Sequence, residues 1–108
     1  MTIQEYQTRA LATANYGVGN KIIYPTLGLA GEAGEVAEKV KKVLRDKGGI
    51  FTEEAKLEIV REISDVLWYC NALANDLGYS LESVMELNIQ KLESRKARGV
   101  INGNGDNR

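Results

Sequence analysis

The stretch GLAGEAGEVAEKVKK, residues 28–42, decides the fold, because it has the periodicity of a helix and yet contains three glycines and three glutamates. One of its faces is apolar, as in a helix that packs on a core. That face, continued by one turn, carries Leu29, Ala33, Val36, Ala37, Val40 and Leu44. Each glycine inside a helix costs about 1 kcal/mol relative to alanine. Gly28, Gly31 and Gly34 lie away from the apolar face, where a bare backbone lets another helix or a ligand approach closely.

The same periodicity along the chain predicts an all-α protein with four helices, over about residues 3–14, 25–45, 53–77 and 81–98. The start and stop signals are Pro25, Gly48, Gly49, Thr52, Gly78 and Ser80. Proline suits a first turn, Thr and Ser cap helix N-termini, and glycine ends helices. No strand pattern competes. We therefore expect one domain over residues 1–98 and a flexible, irregular tail over residues 99–108.

Composition narrows the possible chemistry. The chain has 108 residues, 44% of them hydrophobic, and a net charge of -1. Nothing in this balance predicts binding to nucleic acid or to a membrane, and the expected location is the cytoplasm. There is no histidine, and Cys70 is the one cysteine. A bound metal would therefore be held by oxygen atoms, which indicates Mg²⁺ or Mn²⁺.

Two pairs of carboxylates occupy matching positions on the two longest helices. Glu32 and Glu35 lie on one shoulder of the second helix, and Glu62 and Asp65 lie on the same-handed shoulder of the third. Because the connecting loop is short, these helices should form an antiparallel hairpin. Both pairs then lie roughly 20–25 Å from its turn, at 1.5 Å per residue. The spacing predicts four carboxylates around one small volume, which cannot all stay ionised without a cation.

An alternative is that these acids are ordinary exposed charges with cationic partners. The spacing of Glu35 and Lys39, and of Glu38 and Lys42, is that of favourable i,i+4 ion pairs.

The fourth helix carries a polar and basic stripe formed by Asn88, Lys91 and Arg95. Lysine and arginine beside a carboxylate-bound metal are what a polyphosphate substrate requires, because they donate to the outer phosphate oxygens. The alternative is a solvated basic helix end that complements the helix dipole. For the tail, the alternative to a frayed end is a flap in which Asp106 and Arg108 close over the site.

With these residues in place, the chain resembles the MazG-like nucleotide pyrophosphohydrolases, the all-α NTP pyrophosphatase superfamily. The segments GEAGE (31–35) and EISD (62–65) match the family pattern E-x-x-E…E-x-x-D, and DVLWY (65–69) and LNIQKLESR (87–95) are also similar. The resemblance covers about residues 3–98. It implies a four-helix fold whose bundle is completed by dimerisation, in a homodimer or homotetramer.

The resemblance also implies the reaction, which is hydrolysis of a nucleoside triphosphate to the monophosphate and pyrophosphate. Mg²⁺ would be held by Glu32, Glu35, Glu62 and Asp65, and Asn88, Lys91 and Arg95 would contact the nucleotide. A metal-activated water would attack the α-phosphorus. Our expected general base is Glu35, which lies further from the apolar face than Glu32 does; Glu58 and Glu62 are alternatives.

Two other functions stay open. One is a non-catalytic helical module that dimerises or docks a partner through its apolar faces. The other lies within the enzyme class: a narrow dUTP or dCTP pyrophosphatase, with Tyr16, Tyr24 and Lys21 of the 15–24 loop near the base. The sequence does not select the base or the sugar.

Overall fold

The computed structural model describes residues 1–108 and contains four α-helices and no strand. They are α1 (Ile3–Leu11), α2 (Ile23–Asp46), α3 (Glu53–Asp76) and α4 (Leu81–Ala97), with a short 3-10 turn at Val18–Asn20. The predicted all-α class is confirmed. None of the helices is long and apolar enough to cross a membrane.

The predicted helix signals act as expected at most ends. The Thr52 hydroxyl accepts from the Ala55 amide at 3.2 Å, and the Ser80 hydroxyl accepts from the Ser83 amide at 3.1 Å. Gly48 and Gly49 adopt positive φ angles of 61° and 76° after α2. The predicted end of the first helix was too late, because Thr13 and Ala14 continue α1 only as tighter i to i+3 turns.

The α2–α3 hairpin buries a face that is rotated from the predicted one. Val43 is 4% exposed, whereas Leu44, a member of the predicted apolar face, is 63% exposed. On α3 the same shift leaves Ile63 half exposed and makes Glu62 a neighbour of Glu32 on α2. The prediction was wrong here because each helix carries apolar residues on two faces, and one chain covers only one of them.

Gly28 is explained by the close approach of α3. A Cβ atom at this position would overlap three ring atoms of Tyr69, whereas the corresponding space at Gly31 and Gly34 is open. The first glycine of the opening stretch therefore allows the Tyr69 ring to pack on the backbone of α2. The other two have no neighbour within one chain.

The other helices pack around the second half of α3. Just after α1, the Thr13 hydroxyl accepts from the Trp68 indole at 2.8 Å, and within α1 the Gln7 carbonyl accepts from the Asn71 side-chain amide at 3.3 Å. The Gln7 side chain also caps α4, accepting from the Glu82 amide at 2.9 Å. The chain remains open: its radius of gyration is 16.8 Å, against about 13 Å for a compact domain of this length.

We expect Gly28→Ala to lower the free energy of unfolding by about 1–3 kcal/mol, the usual cost of overpacking. The matched test is the same change in a Tyr69→Ala background, where the ring atoms are absent and the cost should give way to the gain of about 1 kcal/mol that alanine has over glycine in a helix. Denaturant unfolding of the four variants measures both values. An equal cost in the two backgrounds would contradict the proposed Gly28–Tyr69 contact.

Candidate metal centre

An acidic cluster lies between α2 and α3, formed by Glu32, Glu62 and Asp65. One carboxylate oxygen from each residue lies within 4.8 Å of the others. Glu32 and Glu62 are partly buried and Asp65 is exposed. The antiparallel register of the hairpin thus brings Glu32 together with two acids that are 30 and 33 positions further along the sequence.

Glu35, the fourth predicted carboxylate, lies outside this group of three. Its side chain is exposed, but its charge is close enough to raise the pKa of Glu32. The ion pair with Lys39, which belonged to the alternative of ordinary exposed charges, is not formed, because Lys39 lies 3.9 Å from Glu58 on α3 instead. The Glu35 carboxylate consequently forms no ion pair, while Glu58 does.

The second i,i+4 pair of that alternative, between Glu38 and Lys42, is also absent. Glu38 pairs with Lys41, three residues on, at 2.7 Å. This contact holds the pKa of the Glu38 carboxyl below its ordinary value. The ion pairs of α2 therefore form beside the acidic cluster and not within it.

The cluster raises the pKa of Glu32 above its ordinary value of 4.5. Burial is the largest cause, followed by the charges of Asp65, Glu62 and Glu35. Both causes disfavour the ionised carboxylate. A divalent cation would remove the repulsion between these groups.

Two aromatic residues complete the walls of the site. Trp68 and Tyr69 line an open cavity of about 340 Å³ together with Glu32 and Asp65, and the two rings meet edge to face at 5.0 Å. Sequence reasoning did not select them as site residues. Their signal was the spacing, because positions three and four after Asp65 lie on the same helix face.

The 15–24 loop is fixed to the end of α3 by Asp76. The Asp76 carboxylate accepts from the Tyr16 hydroxyl at 2.8 Å and from the Ile22 amide at 2.9 Å. Burial and this hydrogen bond raise the pKa of Tyr16 to about 12. Tyr16 and Tyr24 stack on each other at 4.9 Å, so one face of each ring is already covered.

The basic stripe of α4 does not contact the acidic cluster within one chain. Asn88 is exposed. Lys91 and Arg95 contact the tail, where each lies 3.5 Å from Asp106. The structure thus brings the acids together and leaves the predicted phosphate-binding residues on a separate helix.

The sequence is similar to known proteins along its whole length. Residues 25–100 match the model of the MazG nucleotide pyrophosphohydrolase domain. The Gene 37 protein of Mycobacterium phage L5 is 49% identical over 114 residues, an alignment that covers 100% of both chains. No solved structure gives a significant match. Because the matched residues include both acidic pairs and the basic helix, the chain belongs to the MazG nucleotide pyrophosphohydrolase family.

Proposed function

We propose that the chain is a Mg²⁺-dependent pyrophosphohydrolase that converts a nucleoside or deoxynucleoside triphosphate to the monophosphate and pyrophosphate. The observation that carries this proposal is the convergence of Glu32, Glu62 and Asp65 within 4.8 Å, in a chain of this family. The cytoplasmic location expected from the sequence stays a prediction.

The residues of the cluster fit a hard divalent cation. Every donor is a carboxylate oxygen, the ligand type that Mg²⁺ and Mn²⁺ prefer. Oxygens bound to one Mg²⁺ at about 2.1 Å lie up to about 4.2 Å apart, so the observed spread of 4.8 Å needs only small side-chain rotations. We assign Glu32, Glu62 and Asp65 as ligands, with Glu35 as the fourth. When bound, the ion would neutralise the carboxylates and the phosphates and lower the pKa of water.

Glu35 is our proposed general base, accepting a proton from the water that attacks the α-phosphorus. As the fourth ligand it would bind the ion through one oxygen and keep the other for the proton. Its carboxylate lies beside the cluster and has no cationic partner, whereas Glu58 pairs with Lys39 and Glu62 lies within the group of three. These differences favour Glu35 over the two alternatives.

Asn88, Lys91 and Arg95 are proposed to hold the phosphates. Their side chains donate hydrogen bonds to phosphate oxygens, and the two cations offset the charge that develops on the leaving pyrophosphate. Because they do not contact the acids within one chain, we propose that a second copy, or movement of α4, completes the site.

A homodimer or homotetramer is further supported by the uncovered apolar face of α3. Val60, Ile63 and Leu67 are 55%, 50% and 43% exposed and lie on one face of the helix. Only 9 of the 108 residues are buried in the single chain. Such a chain lacks the core that a stable domain needs, and a second copy would supply it.

A non-catalytic docking module would also use this apolar face, and it is the second candidate function. A narrow dUTP or dCTP pyrophosphatase is the alternative within the enzyme class. An open cavity of about 260 Å³ beside Tyr16 and Lys21 supports it as a place for a base.

Glu32→Gln and Asp65→Asn are each expected to reduce pyrophosphate release by more than about 100-fold. Changes outside the first ligand shell already cost roughly 10- to 100-fold at metal sites. The measurement is pyrophosphate release from a panel of ribo- and deoxynucleoside triphosphates with Mg²⁺ or Mn²⁺. The control is Glu54→Gln, which changes an exposed carboxylate on α3, the helix of Asp65, and should retain activity.

Helicity in all three variants should match the wild type by circular dichroism. Full activity of Glu32→Gln or Asp65→Asn would exclude the proposed metal site. If the wild type released no pyrophosphate from any nucleotide of the panel, the docking module would be favoured.

In metal-free buffer, Glu32→Gln should be more stable than the wild type at pH 8, and the difference should shrink towards pH 5. Folding raises the pKa of Glu32, so its protonated form favours the folded state. This contribution to stability is complete below the pKa of the unfolded chain and is lost as the pH rises through the pKa of the folded protein. Mg²⁺ should reverse the order at pH 8 by stabilising only the intact cluster. Thermal unfolding with EDTA or Mg²⁺ tests this; a wild type unaffected by Mg²⁺ would contradict it.

Light scattering should give the mass of a dimer or a tetramer of the 11.9 kDa chain. Ile63→Lys should shift the protein towards monomer and lower its melting temperature, because it places a charge in the proposed interface. Glu54→Lys places a lysine on the same helix at an exposed position, turned about 180° from Ile63, and should leave the oligomeric state unchanged. A monomeric wild type would refute the proposed assembly.

A further inference from the structure

Arg95 is the one charged side chain that the structure buries, and its hydrogen-bonding capacity is only partly used. The side chain is 7% exposed, and Nε has no hydrogen-bond partner. All of its contacts are made by Nη2, which donates to the Asp106 carbonyl at 3.1 Å, to the Gly105 carbonyl at 3.5 Å and to the Asp106 carboxylate at 3.5 Å. A buried guanidinium with an unmet donor is a site that still favours an anion.

The anion now beside Arg95 comes from the tail. One carboxylate oxygen of Asp106, Oδ1, lies 3.5 Å from both Lys91 Nζ and Arg95 Nη2. These cations hold the pKa of the Asp106 carboxyl below its ordinary value, with Lys91 the larger cause. Asp106 itself is 87% exposed. A single carboxylate oxygen thus sits between the two cations that we assign to phosphate.

The tail reaches this position as a small loop that Arg108 holds closed. The Arg108 guanidinium donates to the carbonyls of Gly105 at 2.6 Å, Ile101 at 2.9 Å and Val100 at 3.1 Å. Gly103 and Gly105 adopt positive φ angles of 146° and 82°, which glycine tolerates. The loop is joined to α4 mainly through polar contacts, since Ile101 is 45% exposed.

We propose that residues 99–108 form a pseudosubstrate arm, in which the Asp106 carboxylate occupies the phosphate position of Lys91 and Arg95 until a nucleotide displaces it. The inference rests on the proposed function and adds regulation of the same site. The arm lowers the apparent affinity for phosphate groups and covers Arg95 while no substrate is bound.

The distances explain why a phosphate would win this competition. The Asp106 carboxylate lies 3.5 Å from each of the two cations, whereas charge-assisted hydrogen bonds between nitrogen and oxygen are usually about 2.7–2.9 Å. A terminal phosphate carries more charge than a carboxylate, and its oxygens can engage Nε and Nη2 together in the bidentate geometry that arginine favours. Asp106 is 87% exposed, so water screens its charge and little opposes release of the arm.

The experiment is an NMR titration with inorganic pyrophosphate in metal-free buffer, comparing the wild type with Asp106→Asn. We expect the variant to bind pyrophosphate about two- to fivefold more tightly, the effect of removing a competing exposed ion pair. In the wild type, the heteronuclear NOE values of the tail amides should fall as pyrophosphate binds. The control, Glu93→Gln, also removes one negative charge, but from α4 itself. Glu93 lies two residues from both Lys91 and Arg95 and on another face of the helix, so this change should not alter the affinity.

The proposed arm would be contradicted if Asp106→Asn bound pyrophosphate as weakly as the wild type or more weakly, or if the tail stayed ordered at saturation. Absence of pyrophosphate binding in both proteins would also overturn it, because there would be no anion site to cover. Failure of the proposed function is read separately, from pyrophosphate release by the wild type on the nucleotide panel. The binding comparison tests the proposed arm whether or not the protein is an enzyme, because pyrophosphate is not the substrate of the proposed reaction.

Discussion

The repulsion between carboxylates held together by α2 and α3 is the constraint on which the rest of the structure depends. The hairpin brings one oxygen each from Glu32, Glu62 and Asp65 within 4.8 Å. Burial and the neighbouring charges then raise the pKa of Glu32. An arrangement that opposes ionisation in the free protein is one that a divalent cation stabilises. The same helix contact that weakens the free chain thus prepares its proposed metal site.

The close approach of these helices depends on a residue with no side chain. Gly28 lets the ring of Tyr69 lie against the backbone of α2, and this ring also lines the cavity beside Glu32 and Asp65. The helix-forming cost of a glycine, about 1 kcal/mol, is therefore connected to the shape of the site. Gly31 and Gly34 meet open space in one chain and leave that side of α2 accessible to a partner or a ligand.

In a single chain, both the hydrophobic core and the proposed active site lack a part. The single chain leaves apolar residues of α3 uncovered, and it keeps the basic residues of α4 apart from the acids. A second copy packed on the uncovered face would address the first deficit and could address the second. In the single chain, the tail supplies the contacts of Arg95 and the negative charge that faces Lys91.

The sequence by itself determined the all-α class, most helix ends and the pairing of acids across the hairpin, because caps, glycine stops and a 3.6-residue period are local signals. It misplaced the buried face, since Val43 and Leu44 are both apolar and only packing selects one of them. Tertiary structure alone decided that Glu35 stays outside the group of three, that Lys39 pairs with Glu58, and that Asp106 reaches Arg95. Those contacts join separate segments of the chain, whose relative positions follow from packing and charge and not from periodicity.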